Sequence, residues 1–412
     1  MLFAYKFLIN IIFFSSPLIL IIRLIKKKED PIRFKEKLGF FSKKKKVGNL
    51  IWFHGASVGE IQSIIPLIEK FEENRNINQI LITSNTISSS KIIQKYKFKK
   101  TIHQFFPIDC NFISKKFINY WKPTKVFFID SEIWPNTINN LSDQKIPMIL
   151  LNGRITKKTF NRWLIFPNFS QFLFEKFQLC LSSSLQSKKY LKKLGAKNIK
   201  FLGNLKFSQS ENINSELNKN LKKFIRSKSP WCASSTHFNE EKFCGLVHLN
   251  LKKKCKNLLT IIIPRHINRV KSIENELKNL DLKVHLDEPQ KKISANTDIY
   301  LVNSYGKTKS FYKECKNVFL GGSLINHGGQ NPLEPAKFGC EIIYGPFINN
   351  FKEIYKKLDD LKISKKFSSY NSGINIIKKK FNKKNRVFDN RMITKYGETI
   401  LNSTYNRIQK LI

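Results

Sequence analysis

Short apolar runs recur along the chain and alternate with stretches of helical character. Asn49–His54, Gln79–Ser84, Lys125–Ile129, Pro147–Leu151, Gln178–Ser182 and Ile199–Leu202 read as buried strands, with helices over Gly59–Glu72 and near Lys91. A second series follows, with a strand at Trp231–Ser234, a helix from Asn239, and strands at Leu258–Ile263, Ile299–Val302, Val318–Leu320 and Glu341–Tyr344. Strands alternating with helices pack as parallel sheets covered on both faces. The expected class is α/β, with two such domains facing across a cleft. The polar segment Ser208–Asn220 between the series reads as a connection, and the tail Asn390–Ile412 as a polar helix.

Within the second series, one stretch has the grammar of a phosphate site. The strand ending at Leu320 is followed by Gly321 and Gly322, then His327, Gly328 and Gly329, then Asn331-Pro332 at a helix start. Glycines let a ligand approach the backbone, and a helix N-terminus favours an anion. The same spacing, Asn331 to Glu334, also fits a plain capping box, which on spacing alone is the commoner explanation.

Ahead of the first series, Phe7–Ile25 is mostly apolar, broken by Asn10, Ser15, Ser16, Pro17 and Arg23. Its length suits either a short membrane-spanning helix or one lying in the lipid interface. Arg23, Lys26, Lys27 and Lys28 outweigh Lys6, which puts the C-terminal side in the cytoplasm. No small-residue cleavage site follows, so a secretory signal is disfavoured. The expected boundaries are 1–28 for a membrane helix, 29–207 and 226–389 for the two domains, 208–225 for the linker, and 390–412 for the last helix.

A formal charge of +44 suits an anionic membrane, an acidic substrate or nucleic acid. The lysines are spread over the whole chain, in keeping with a general Lys, Asn, Ile and Phe bias, so no dedicated nucleic-acid groove is expected. Seven scattered cysteines without a C-x-x-C pair read as reduced structural thiols.

Candidate chemistry sits where strands end, since ligands of open α/β sheets bind at the carboxyl edge. Glu60 lies in HGASVGE after the first strand, where Ser57 and Glu60 also fit a capping box. Asp130 and Glu132 lie in DSEIWPN, with a spacing that suits either a divalent metal or the start of the helix that Pro135 opens. Lys206 follows the strand Ile199–Leu202, and Pro264-Arg265 ends a very apolar strand, where an arginine is poised for phosphate.

HGASVGE, DSEIWPN, NGRIT (Asn152–Thr156), GNLKF, SSTHFNEE (Ser234–Glu241), PRH and GGSLINHGGQNPLEP together resemble the 3-deoxy-D-manno-octulosonic acid (Kdo) transferases, in the same order along the chain. The resemblance implies a GT-B glycosyltransferase of two Rossmann-like domains with an N-terminal membrane-associated helix, held at the cytoplasmic face of the inner membrane. It implies inverting transfer of Kdo from CMP-Kdo to a lipid A precursor, with no metal or other cofactor, with an anionic membrane as partner and no nucleic acid. The N-terminal domain would hold the acceptor and the C-terminal domain CMP.

Position by position, Glu60 matches the family's general base. Asp130 and Lys206 match transition-state stabilisers, and Glu132 is the second acid of that motif. Pro264 and Arg265, then Tyr305, Gly306 and Lys307, then Asn331, Pro332, Leu333 and Glu334 match the CMP-contacting segments. The chain departs from the family pattern at Asp130 and Lys307, where glutamate is usual, and at Asn303, where aspartate is usual. Rival readings are another membrane GT-B enzyme using a UDP-sugar, and a non-catalytic basic membrane- or RNA-binding protein.

Overall fold

The computed structural model describes residues 1–209, 216–288, 291–381 and 390–411. The chain divides into two compact units, Met1–Ser210 with Tyr396–Ile412, and Glu211–Lys395.

The first unit is built on seven parallel strands, β1 (Leu50–His54), β2 (Gln79–Ser84), β3 (Thr101–Phe105), β4 (Lys125–Ile129), β5 (Met148–Gly153), β6 (Leu179–Ser182) and β7 (Ile199–Phe201), in the order β3-β2-β1-β4-β5-β6-β7. Every residue of β1 and β4 is buried, as expected of parallel strands covered on both faces. On one face, helix α2 (Val58–Glu72) presents Ile61, Ile64, Ile65, Ile68 and Phe71 to Ile51, Phe53, Phe127 and Ile149. On the other face, Trp52, Phe128 and Leu150 pack with Phe117, Trp121 and Leu141. The strand order reverses between β1 and β4, and such a switch point opens a crevice at the carboxyl ends.

The last helix, Arg391–Gln409, completes this same unit from Tyr396 onward. Ile408 is fully buried in the α2-side core, with Leu401 and Tyr405 packed against it. Gly397 passes so near the Phe207 carbonyl that a Cβ there would meet its oxygen at 2.3 Å, so this crossing requires glycine.

The N-terminal helix α1 (Leu2–Ile25) is long and apolar enough to cross a membrane, yet it is docked on the first unit along much of its length. The Tyr5 hydroxyl donates to Asp109 Oδ2 at 2.8 Å, and the Cys110 thiol donates to Asn10 Oδ1 at 2.8 Å. Phe13 meets Phe112 edge to face at 5.1 Å, Ser16 and Leu20 are buried, and Arg23 donates to Glu29 at 2.6 Å. The opposite face is bare: Phe3, Phe14, Leu18 and Ile25 are all exposed.

The second unit repeats the architecture with β8 (Ser229–Thr236), β9 (Leu258–Pro264), β10 (Val284–Leu286), β11 (Ile299–Leu301), β12 (Asn317–Leu320), β13 (Glu341–Tyr344) and β14 (Ser364–Lys366), all parallel, in the order β10-β11-β9-β8-β12-β13-β14. Its switch point lies between β8 and β12. Part of the expected linker is ordered into helix Lys219–Arg226, which buries Leu221 and Ile225 in this unit's core; residues 210–215 of it lie outside the described residues.

Candidate active site

In the first unit, β1 delivers the chain to α2 at the switch point. Ser57 caps α2, its Oγ accepting from Glu60 N at 3.3 Å and donating to Glu60 Oε1 at 2.7 Å. Ala56 N donates to Glu60 Oε2 at 2.7 Å. The capping box therefore forms, and the carboxylate that closes it is the candidate base. Burial pushes the Glu60 carboxyl above its ordinary range. Ser57 pulls it down, and the nearby Glu132 and Asp130 carboxylates push it further up.

From the neighbouring strand β4, Asp130 enters the left-handed region at φ +60°, and Asn152 at the end of β5 does the same at +52°. Asp and Asn tolerate this conformation better than other side chains, and such outliers cluster at functional sites. Asn152 Nδ2 donates to Asp130 Oδ1 at 3.3 Å, and its Oδ1 accepts from Leu205 N at 3.0 Å. That second bond fixes the turn carrying Lys206, whose ammonium pairs with Asp130 Oδ2 at 3.4 Å. Glu132 turns elsewhere. Its Oε2 accepts from Trp134 Nε1 at 2.9 Å and lies 3.3 Å from His54 Nε2. Asp130 and Glu132 thus face different partners. Glu60, Asp130, Glu132 and Lys206 are brought to one edge; His54 and Asn152, which neighbour Glu132 and Asp130, stood in the quoted motifs without an assigned role.

In the second unit, three backbone donors of the glycine loop are taken from within by Glu240, a fully buried carboxylate at the start of helix Glu240–Lys252. Glu240 accepts from Gly322 N at 2.8 Å, Ser323 N at 3.1 Å, Leu324 N at 2.9 Å and His237 N at 2.9 Å. Close approach of the loop to β8 explains Gly321, where a Cβ would sit 2.3 Å from the Ser235 carbonyl oxygen. The following helix is only Leu333–Lys337, one turn, too short for a large dipole. Asn331 Oδ1 accepts from Leu333 N at 3.2 Å, Pro332 precedes the helix, and Glu334 faces Lys309 at 3.7 Å.

The other nucleotide candidates sit at the same carboxyl edge. Pro264 ends β9 and is buried, while Arg265 is exposed and anchored by its N–H to the Thr236 carbonyl at 2.9 Å. Tyr305 and Gly306 are exposed. Lys307 donates to Asp287 Oδ2 at 2.7 Å, so the lysine standing at a usual glutamate has an acid of its own.

Two doubly wound units with ligand-type switch points define a two-domain protein of the GT-B class. A solved UDP-N-acetylglucosamine 2-epimerase, a putative one from Listeria monocytogenes, superposes with a TM-score of 0.60 at 10% identity, over 88% of this chain and 98% of that one. The family model described as 3-Deoxy-D-manno-octulosonic-acid transferase (kdotransferase) matches residues 32–209. A 3-deoxy-D-manno-octulosonic acid transferase of Rickettsia bellii is 33% identical over 339 residues, 82% of this chain and 81% of the relative. One from Rickettsia felis is 34% identical over 309 residues, 75% of this chain and 66% of the relative. The chain belongs to the Kdo transferase family.

Proposed function

We propose that this protein transfers Kdo from CMP-Kdo to a hydroxyl of a lipid A precursor. The observation that carries the proposal is the grouping of Glu60, Asp130, Glu132 and Lys206 at the switch point of the first unit, within the residues that match the family model. Glu60 takes the proton of the acceptor hydroxyl, and its upward-shifted pKa makes it a better base than a free carboxylate. The acceptor oxygen bonds to the anomeric carbon as the bond to the CMP phosphate breaks, and the electron pair leaves with phosphate. Positive charge develops on the sugar and negative charge on the leaving group. Asp130 suits the first and Lys206 the second, each held by the other at 3.4 Å. The second unit supplies Arg265 and the segments at Tyr305 and Asn331 to the nucleotide.

We read the reaction as metal-independent. Asp130 already faces Lys206 while Glu132 faces Trp134 and His54, which suits fixed cations better than a shared metal. The membrane reading rests on α1. Its polar ties to Asp109 and Cys110 would have to enter hydrocarbon if the helix spanned, so it is read as lying in the interface, bare face to the lipid and lysines to the headgroups. Mass spectrometry of the product made from CMP-Kdo and a tetraacylated lipid A precursor tests the proposal. Product carrying added Kdo supports it, whereas transfer from a UDP-sugar alone overturns it.

A further inference from the structure

At the carboxyl edge of the second unit, three histidine rings gather beside the glycine loop. His237 lies 4.3 Å from His327 and 5.9 Å from His266, centroid to centroid. His266 and His327 are exposed, while His237 is 7% exposed. Ser235, held in the left-handed region at φ +55°, turns its carbonyl so that His237 Nδ1 donates to it at 3.0 Å. A carbonyl only accepts, so this bond fixes the proton on Nδ1 and leaves Nε2 as the ring's working atom. That atom is buried without a hydrogen-bond partner among the described residues. Such groups are rare, and an unpartnered one at a switch point signals a missing ligand.

The chemistry of that ligand follows from the surroundings. Three of the loop's N–H groups, those of Gly322, Ser323 and Leu324, already serve Glu240, which leaves side chains as the natural partners of an anion beside them. Arg265 and His266 come from the end of β9, and His327 from the glycine loop. The charged groups behind are Glu240, whose Oε2 is 3.8 Å from His237 Nδ1, and Glu241, which is neutralised by Arg269 at 3.0 Å. To donate from Nε2 to an oxyanion while Nδ1 donates to Ser235, the bound ring must carry a proton on each nitrogen, with the oxyanion in front and Glu240 behind to balance it.

We infer that His237 Nε2 is the binding donor for an oxyanion of the sugar-nucleotide, either the nucleotide phosphate or the sugar carboxylate. The inference rests on the CMP-Kdo reading above. Its test uses two substitutions that separate scaffold from ligand. In His237→Asn the amide can keep the Ser235 tie but cannot reach the Nε2 position; in His237→Gln the amide reaches that position. Affinities for CMP and cytidine, and kcat and KM for CMP-Kdo, are measured for both full-length variants, with melting temperature as a control.

The expected result is a roughly 10- to 100-fold loss of binding in His237→Asn at unchanged melting temperature, partly recovered in His237→Gln. A loss with CMP and none with cytidine identifies the phosphate; unchanged CMP affinity with a raised KM for CMP-Kdo identifies the sugar carboxylate. Wild-type affinity and KM in His237→Asn, or equal impairment of both variants, overturns the inference alone. Failure of the wild type to bind CMP or CMP-Kdo overturns the transferase reading and the inference with it. Should His237→Asn not fold, nitrogen-15 NMR of the wild type decides: the His237 Nε2 resonance must move when CMP or CMP-Kdo is added.

Discussion

Replacing Glu60 by glutamine keeps the shape of the capping box while removing the ability to accept a proton. In the structure Glu60 takes three short contacts, from Ala56 N at 2.7 Å, Ser57 Oγ at 2.7 Å and, more weakly, Ser57 N at 3.4 Å. Glutamine retains one carbonyl oxygen for the backbone donor, so the cap should lose about 1 kcal/mol or less. Against that loss stands the burial of charge. Because the folded-state pKa of Glu60 is raised, its protonated form suits the fold; that stability is fully present below the unfolded carboxyl pKa and is lost as pH rises through the folded value. A neutral glutamine keeps it at neutral pH. The melting temperature of Glu60→Gln should therefore compare best with wild type near pH 7 and fall relative to it in acid. Turnover should fall roughly 10²–10⁴-fold. Initial rates with CMP-Kdo and detergent-dispersed acceptor measure turnover, and calorimetry across pH measures the melting temperature. The wild-type rate should fall on its acid side at a pH above the ordinary glutamate range. Turnover within a few-fold of wild type would refute the base assignment; a melting-temperature difference that does not change with pH would refute the charge-burial argument.

Lys206→Met should lower kcat by about 10²–10³-fold, the scale for losing one fixed stabilising group, and a near-normal kcat would remove Lys206 from the reaction. Glu240→Gln leaves some of four buried N–H groups without an acceptor and should cost at least about 3 kcal/mol, read as a drop of roughly 6–12 °C in the second unit's melting temperature. Activity should persist in excess EDTA; loss reversed by magnesium or manganese would revive the metal reading of Asp130 and Glu132. Aspartates at Phe3, Phe14 and Leu18, all on the bare face of α1, should release the protein from vesicles at unchanged melting temperature, and undiminished binding would place the contact elsewhere.

The strands buried on both faces were legible because their side chains alone announce them: LIWFH and KVFFI allow little else. Strand β3, TIHQF, was missed because buried polar residues interrupt it. His103 bonds to Ser84 and Arg33, and Gln104 Nε2 donates to the Phe40 carbonyl, partners that no local pattern reveals. Strands β10 and β14 are three-residue edge strands with a histidine or lysines in place of an apolar run. At the site, Glu60 could be placed because its chemistry and its cap lie within four residues. Asp130 and Lys206 could be named only through their motifs, since the contact joins positions 76 apart. The inner partner of the glycine loop was hidden for a related reason. The loop's form does bind an anion, but that anion is a side chain some eighty residues upstream, and backbone grammar cannot say whose carboxylate or phosphate will fill it.

The return of the last helix to the first unit bears on how the chain is made. Ile408 closes the core beneath α2, and Lys125 Nζ donates to the Leu411 carbonyl, so the first unit lacks part of its interior until the final residues leave the ribosome. The second unit is continuous from Glu211 to Lys395 and can finish first, although it is synthesised later. The half-built first unit must wait through that interval with α1 already out. On the membrane reading proposed above, its bare apolar face offers the nascent chain a hold on lipid before the carboxyl edge of the first sheet has its full support.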